Sequence, residues 1–387
     1  MSQLSDLSRS LVALEQDATL IAVIEMGQSS WLVAGIVPGI ERQPLKKLAP
    51  DQDGLLQLLY RWRKEAIQAG RTIKRIAVAY EAGRDGFWLA RWLRTHGIEA
   101  YVIHPSSVPI SREHRRAKTD RLDTELLKRA FLGWLRGEPK HCSMAAIPSI
   151  EDEDARRPSR ERQSLVKECT RIVNRVKASL ARLGIRGFRL AFAQASKQLQ
   201  TLRTPEGLAI PANTLAEIRR DIARFLFVKQ QIKEVERMRV KRLEQTHGER
   251  RTAMVQLLAR VVGIGVESAD LLVQEVFSRE LRDHKAVARY AGVTGAPDES
   301  GRRRRERGLA KAGNARVRRT MIELAWGHLL HQKDSPLAQW YRRRTADARG
   351  GTRKTMIVAL ARKLLIALWR LVTTGEAPAG LLLRPAA

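Results

Sequence analysis

Hydrophobic and polar positions along the chain fall into three regimes. Between residues 19 and 134, short apolar runs alternate with stretches of helical spacing. Residues 20–25 and 31–37 are apolar runs separated by a polar turn at 27–30, and they predict a β-hairpin. A third short strand is expected near 41–48. Leu55, Leu56, Leu58, Leu59 and Trp62 recur at helical steps and predict a helix over 53–69. Strands over 73–80 and 98–104, with helices over 86–96 and 119–135, complete this regime.

The resulting order is β-β-(β)-α-β-α-β-α. It is the order of a ribonuclease-H-like fold, an antiparallel meander followed by parallel strands linked through helices. The second regime, 150–247, is helical and charged. Leu165, Cys169, Ile172, Val173, Val176 and Leu180 mark one long helix, with Pro158 near its start. Ile218, Ile222, Phe225, Val228, Ile232, Val235 and Met238 mark another. The pair reads as an antiparallel arm or coiled coil, or as an ordinary helical domain. The third regime is expected to be a compact helical domain. Gly263-Ile264-Gly265 precedes a helix there in the pattern of a helix-hairpin-helix element, where glycines free backbone N–H groups to meet DNA phosphate. Its last helix, over 356–372, is apolar but cut by Arg362, Lys363 and Arg370, so it predicts an amphipathic helix rather than a membrane span. From Gly380 onward a frayed tail is expected. The domain expectation is α/β over 19–140, a helical arm over 150–247 and a helical C-terminal domain over 251–375.

Charge changes the picture. Lys and Arg number 71 against 41 Asp and Glu, a formal net charge of +30. Self-repulsion of that size opposes compaction unless a polyanion screens it, so nucleic acid is the expected partner. A ribosome-like structural binder or an anionic-membrane binder would carry the same charge. No secretory signal is visible at the N-terminus. Cys142 and Cys169 match no metal-ligand spacing and suit a reducing cytoplasm.

In so basic a chain, the acids at element ends stand out. Glu25 ends the first strand and Glu81 follows the strand over 73–80. Asp120 and Asp123 lie in the first turn of the helix over 119–135, and their i, i+3 spacing puts both on one helix face. In a ribonuclease-H-like sheet these four carboxylates would converge. Converging carboxylates repel unless hard cations lie between them, so Mg²⁺ is implied, with two ions able to clamp the attacking and leaving oxygens of a phosphodiester. Singly, each acid could instead be a surface residue or a favourable helix-start charge. Arg112, Arg115, Arg116, Lys118 and Arg121 crowd beside the aspartates, with His114 among them, and could hold phosphate.

These residues resemble a family. Glu81-Ala82-Gly83, the run from Arg116 through Lys118-Thr119-Asp120 to Asp123, and a C-terminal series are similar to the DEDD-type transposases of the insertion sequence 110 family. The C-terminal series is Val262-Gly263-Ile264-Gly265, Tyr290-Ala291-Gly292, Asp298-Glu299-Ser300-Gly301 and Lys311-Ala312-Gly313-Asn314, with Arg316, Arg318 and Arg319 behind it. The resemblance runs from about Leu20 to Val372. It implies a Holliday-junction-resolvase-like N-terminal domain and a C-terminal transposase domain with a catalytic serine. By it, Glu25, Glu81, Asp120 and Asp123 become the metal-binding tetrad and Ser300 the nucleophile. Glu25 stands where the family usually has Asp. The resemblance also implies double-stranded DNA as substrate, a structured noncoding guide RNA, a homo-oligomer, and residence at the nucleoid in a bacterial cytoplasm.

On its own residues, Ser300 is expected in a loop between apolar helices, with Gly301 allowing close approach of DNA. Residues 301–319 hold nine basic side chains and one acid, Glu306. Arg302, Arg303, Arg304 and Arg305 could cradle phosphate and offset transition-state charge. A turn serine beside a solvated basic run is the alternative. The acids alone also fit a metal-dependent nuclease or junction resolvase, and the charge alone fits a non-enzymatic nucleic-acid-binding protein.

Overall fold

The computed structural model describes residues 10, 12–41, 43–108, 119–138, 141–190, 194–246, 248–300, 303–309, 312–346 and 350–385. The first regime folds as β1 (Thr19–Met26), β2 (Trp31–Ile36), β3 (Leu45–Leu48), α1 (Gln52–Gln68), β4 (Arg75–Glu81), α2 (Trp88–Thr95), β5 (Glu99–Ile103) and α3 (Asp120–Leu135). The sheet order is β3-β2-β1-β4-β5. β1 pairs antiparallel with β2 and parallel with β4. Its unbroken apolar run is explained by that central place, since a strand covered on both faces has no solvent side to make polar.

Alternation along the strands separates two cores. Leu20, Ala22, Ile24, Val33 and Val78 face α1 and α2, where Leu55, Leu59, Trp62, Leu89 and Leu93 close one core. Ile21, Val23, Ala34, Ala77 and Ala79 face α3, where Leu127, Phe131 and Trp134 close the other. Each fully buried large side chain of this kind contributes about 1.5–3 kcal/mol relative to exposure. The helix starts are capped as their sequences allow. The Asp51 carboxylate accepts from the Asp53 and Gly54 N–H groups, and the Thr119 hydroxyl accepts from Leu122 N–H.

The chain continues through α4 (Ile150–Asp154), α5 (Arg157–Arg182), α6 (Ala195–Thr201) and α7 (Ala212–Gln245). Arg162 pairs with Glu236 at 2.7 Å and Arg175 with Asp221 at 2.6 Å, so α5 and α7 run antiparallel. Ile172, Val176 and Leu180 pack on Ile218, Ile222 and Phe225 between them. Then come α8 (Arg250–Ala259) and α9 (Val266–Leu272), the latter continued by a π-helical turn over Val273–Phe277. Charges tie the arm helices to α9. Arg239 Nε donates to Asp270 at 2.9 Å and Arg242 donates to the other oxygen at 2.8 Å, while Arg160 donates to Glu275 at 3.1 Å. Arg239 also pairs with Glu267. Burial lowers the pKa of the Arg239 guanidinium, partly offset by Asp270.

Beyond α9 lie α10 (His284–Tyr290), β6 (Gly295–Ser300), β7 (Arg303–Leu309), α11 (Ala315–His331), α12 (Pro336–Thr345) and α13 (Gly350–Thr374). The third regime is therefore not wholly helical: β6 and β7 form an antiparallel hairpin inside it. Neither strand alternates apolar and polar residues, which is why the sequence pattern reads as loop. The register instead faces Asp298 with Arg305 and Glu299 with Arg304, opposite charges at directly paired positions.

The C-terminal tail is docked rather than frayed. Val262 N–H donates to Leu382 C=O at 2.9 Å, Arg384 N–H to Arg260 C=O at 2.7 Å, and Leu382 N–H to the Gln332 side chain at 2.9 Å. Leu381 is buried, and Leu383 bridges Val261 in an antiparallel pair. Among the described residues no helix is long and apolar enough to cross a membrane.

The chain divides into two compact units. One holds Met1–Glu151 with Arg279–Arg318, the other Asp152–Ser278 with Arg319–Ala387. The arm thus shares a unit with α8, α9, α12 and α13, while α10 and the β6–β7 hairpin belong to the unit of the sheet.

Candidate active site

β1 and β4 run parallel and side by side, with Ile24 opposite Tyr80. The next residue on each strand is Glu25 and Glu81, so the two carboxylates leave the sheet together at its carboxyl edge. Alternation places them in phase with Ile21, Val23, Ala77 and Ala79, on the face that α3 covers. Both are half-buried. They line an open cleft of about 300 Å³ with Met26, Gln28, Gly83, Arg84 and Asp85.

Asp120 and Asp123 occupy the first turn of α3, which packs on β1, β2 and β4. Asp120 is exposed and Asp123 half-buried. They do not line the cleft, and among the described residues no three His, Cys, Asp or Glu side chains stand close enough to hold an ion. The expected convergence of all four acids is thus seen for Glu25 and Glu81 and not for the two aspartates. Two hard oxygen donors beside an open cleft still suit Mg²⁺, which binds through one or two carboxylates, keeps several waters and takes the rest of its shell from substrate phosphate.

Gln28, Arg84 and Asp85 went unnoticed in the sequence. The signal was present: polar turns directly follow the carboxyl ends of two neighbouring parallel strands, where open α/β sheets form clefts.

Ser300 is the last paired residue of β6, opposite Arg303 of β7, rather than a loop residue. Gly301 and Arg302, which join the strands, lie outside the described residues, as do Arg112, His114, Arg115, Arg116, Lys118 and Lys311. Arg303, Arg304 and Arg305 are strand residues facing Ser300, Glu299 and Asp298 in the register. The base of the hairpin is a tight crossing. Gly313 has φ +82°, and a side chain on it would meet the Arg289 carbonyl oxygen at 2.5 Å. Asn314 N–H donates to Tyr290 C=O at 2.7 Å across the same crossing. The Tyr290-Ala291-Gly292 and Ala312-Gly313-Asn314 motifs therefore act as a clasp for the chain carrying Ser300.

Among the expected nucleic-acid contacts, Asn314 caps α11: its side-chain oxygen accepts from the Arg316 and Val317 N–H groups at 3.0 and 3.3 Å. Arg318 donates to Ala312 C=O at 3.0 Å and closes the same turn. Arg121, Arg316 and Arg319 keep their exposure. Gly263 (φ +88°) turns the chain between α8 and α9, and Gly265 stands at the start of α9. In that turn the Val262 N–H is taken by the tail and its C=O by Gln332 Nε2 at 2.7 Å.

Comparison with known proteins gives the same assignment along the chain. Residues 255–342 match the family described as Transposase IS116/IS110/IS902, and residues 40–185 match the DEDD-type IS110 transposase model. A Sinorhizobium fredii protein named as transposase y4rJ is 39% identical over 363 residues, 91% of each chain. A Pseudomonas aeruginosa protein named as a family 20 transposase is 27% identical over 305 residues, 76% of this chain and 83% of its own. With that identity maintained from the sheet to the C-terminal helices, the chain belongs to the IS110 family of transposases.

Proposed function

We propose that this transposase cuts and rejoins DNA through a serine-linked intermediate, with a ribonuclease-H-like N-terminal domain supplying the carboxylates and Ser300 the nucleophile. The observation that carries the reading is the side-by-side exit of Glu25 and Glu81 into one cleft. Membership of Ser300 in the same compact unit supports it further. The β3-β2-β1-β4-β5 order, antiparallel then parallel, supports the fold assignment.

Glu25 and Glu81, joined by Asp120 and Asp123 when DNA is bound, would hold Mg²⁺ ions, which supply Lewis-acid stabilisation of charge on the phosphate. The Ser300 hydroxyl attacks phosphorus; an O–P bond forms to serine, the P–O bond to deoxyribose breaks, and the serine proton ends on the released hydroxyl. The phosphodiester bond energy is conserved, so a new strand end can reverse the step without ATP. Arg121, Arg316 and Arg319, with the basic residues 302–305 and 115–118, hold backbone phosphate. With the Val262 backbone engaged, phosphate contact by a helix-hairpin-helix turn would fall to Gly263 and Gly265.

A structured noncoding RNA from the element would choose the DNA by base pairing, and the excess of cations suits a second nucleic acid. Assembly into a homo-oligomer through the arm is supported by Leu226 and Phe227 of α7, which are 56% and 61% exposed.

The test is strand transfer on DNA carrying the element ends, with Mg²⁺ present. Ser300→Ala should bind DNA as the parent does but form neither joined product nor protein–DNA adduct. Recombination by Ser300→Ala at the parental rate would make water or a DNA hydroxyl the nucleophile and the protein a direct metal-dependent nuclease. RNA should co-purify with the protein; full sequence-directed activity from RNA-free protein would remove the guide.

A further inference from the structure

We propose that Arg84 grips a non-bridging oxygen of the reacting phosphodiester in the Glu25–Glu81 cleft, and that Gln28 sets its guanidinium in place; the proposal rests on that cleft being the reaction site. Three of the residues lining the cleft are acids: Glu25, Glu81 and Asp85. A phosphodiester is itself an anion, and entry beside three carboxylates is opposed by like charge. Arg84 is the one basic residue in the lining among the described residues. Within that lining it is the group that can draw the scissile phosphate in.

Its partner fits that task. The Gln28 amide, with its oxygen turned to the guanidinium, accepts from Arg84 Nη2 at 2.7 Å and also from Nη1. A carboxylate in that place would cancel the charge of Arg84. A neutral amide orients the group and leaves the charge for a ligand. Two of the five guanidinium N–H donors are used, and three remain for phosphate. Gln28 lies in the turn between β1 and β2, and Arg84 in the turn after β4. Because β1 and β4 are paired neighbours, the sheet register itself brings the two turns together. Lysine could supply the charge but not the fixed fork that both the amide and a phosphate need.

The test is single-turnover strand cleavage on oxygen and phosphorothioate DNA, sulfur replacing each non-bridging oxygen of the scissile phosphate in turn. Arg84→Gln should slow cleavage about a hundredfold, as removal of one transition-state donor does, with DNA affinity and melting temperature near the parent's. Arg84→Lys should recover part of the loss. Gln28→Glu should slow cleavage as well, by pairing the guanidinium. One phosphorothioate isomer should slow the parent and lose that extra penalty in Arg84→Gln. A rate for Arg84→Gln within twofold of the parent, while Glu81→Gln is inactive, would overturn the proposal and leave the cleft reading standing. Full activity of Glu81→Gln would overturn the cleft reading itself. An unchanged phosphorothioate penalty in Arg84→Gln, or a loss of affinity equal to the loss of rate, would also remove Arg84 from the reacting phosphate.

Discussion

In the sheet, Glu25 and Glu81 stand at the ends of β1 and β4 and line a solvent-open cleft. In the helical unit, Asp270 is fully buried and held by Arg239 and Arg242, and Asp221, 3% exposed, is held by Arg175 and Arg224. Both regions place acids at strategic points of a strongly basic chain, but the surroundings differ. The buried aspartates each meet two arginines, so their charge is spent on packing α5, α7 and α9 together. Among the described residues, the cleft acids share their lining with Arg84, itself turned toward an amide. An acid buried between arginines is architecture, while acids at an open sheet edge lie where a cation and a phosphate can reach them.

The largest effects should separate these roles cleanly. Glu81→Gln or Glu25→Gln should cut strand transfer by at least about a hundredfold, the several kcal/mol expected of lost charge stabilisation at the phosphate, with an unchanged melting temperature. Asp120→Ala and Asp123→Ala should behave likewise if the aspartates join the site on DNA; full activity in both would exclude them. Asp270→Ala should do the reverse, costing about 3 kcal/mol of stability in urea unfolding, the low end for a broken buried pair, because the buried Arg239 keeps only Glu267 as a partner. A stable Asp270→Ala protein would break the comparison.

Arg175→Ala is a milder version, about 1 kcal/mol, since Arg175 is partly exposed, screened by water, and Arg224 remains beside Asp221. It also carries a pH signature. The Arg175 hydrogen bond holds the Asp221 pKa below the ordinary aspartate value. A depressed folded pKa contributes stability that is present above the unfolded pKa, near 4, and is lost as pH falls through the folded value. The parent should therefore lose more stability than Arg175→Ala on acidification below about pH 4. Equal acid sensitivity would show that Arg224 suffices. The smallest effect is expected for Glu25→Asp, where activity should be retained or improved; complete loss would mean that the site is built around the longer side chain.

The sheet was legible because its strands are driven by burial. A short continuous apolar run such as Leu20–Ile24, closed by the polar turn at 27–30, suits a covered strand by its length, and that turn fixes the hairpin. The long helices were legible for the same reason, through Ile172, Val176, Ile218 and Phe225. The β6–β7 hairpin was not, because its paired positions carry charged residues in sequence and so show no hydrophobic period. The docked tail was missed because a short apolar end shows no partner until Val261 and Gln332 are placed beside it. At the site, Glu25 and Glu81 followed from strand ends, whereas Gln28 and Arg84 required knowledge that β1 and β4 are neighbours.

In the proposed reaction Ser300 becomes joined to DNA under control of the cleft acids. The direct measurement is mass spectrometry of tryptic fragments after reaction with element-end DNA, reading the peptide of residues 290–302. A nucleotide should be attached to Ser300 in the parent and none in Ser300→Ala or Glu81→Gln. Strand transfer at full rate with that peptide unmodified would contradict that reaction.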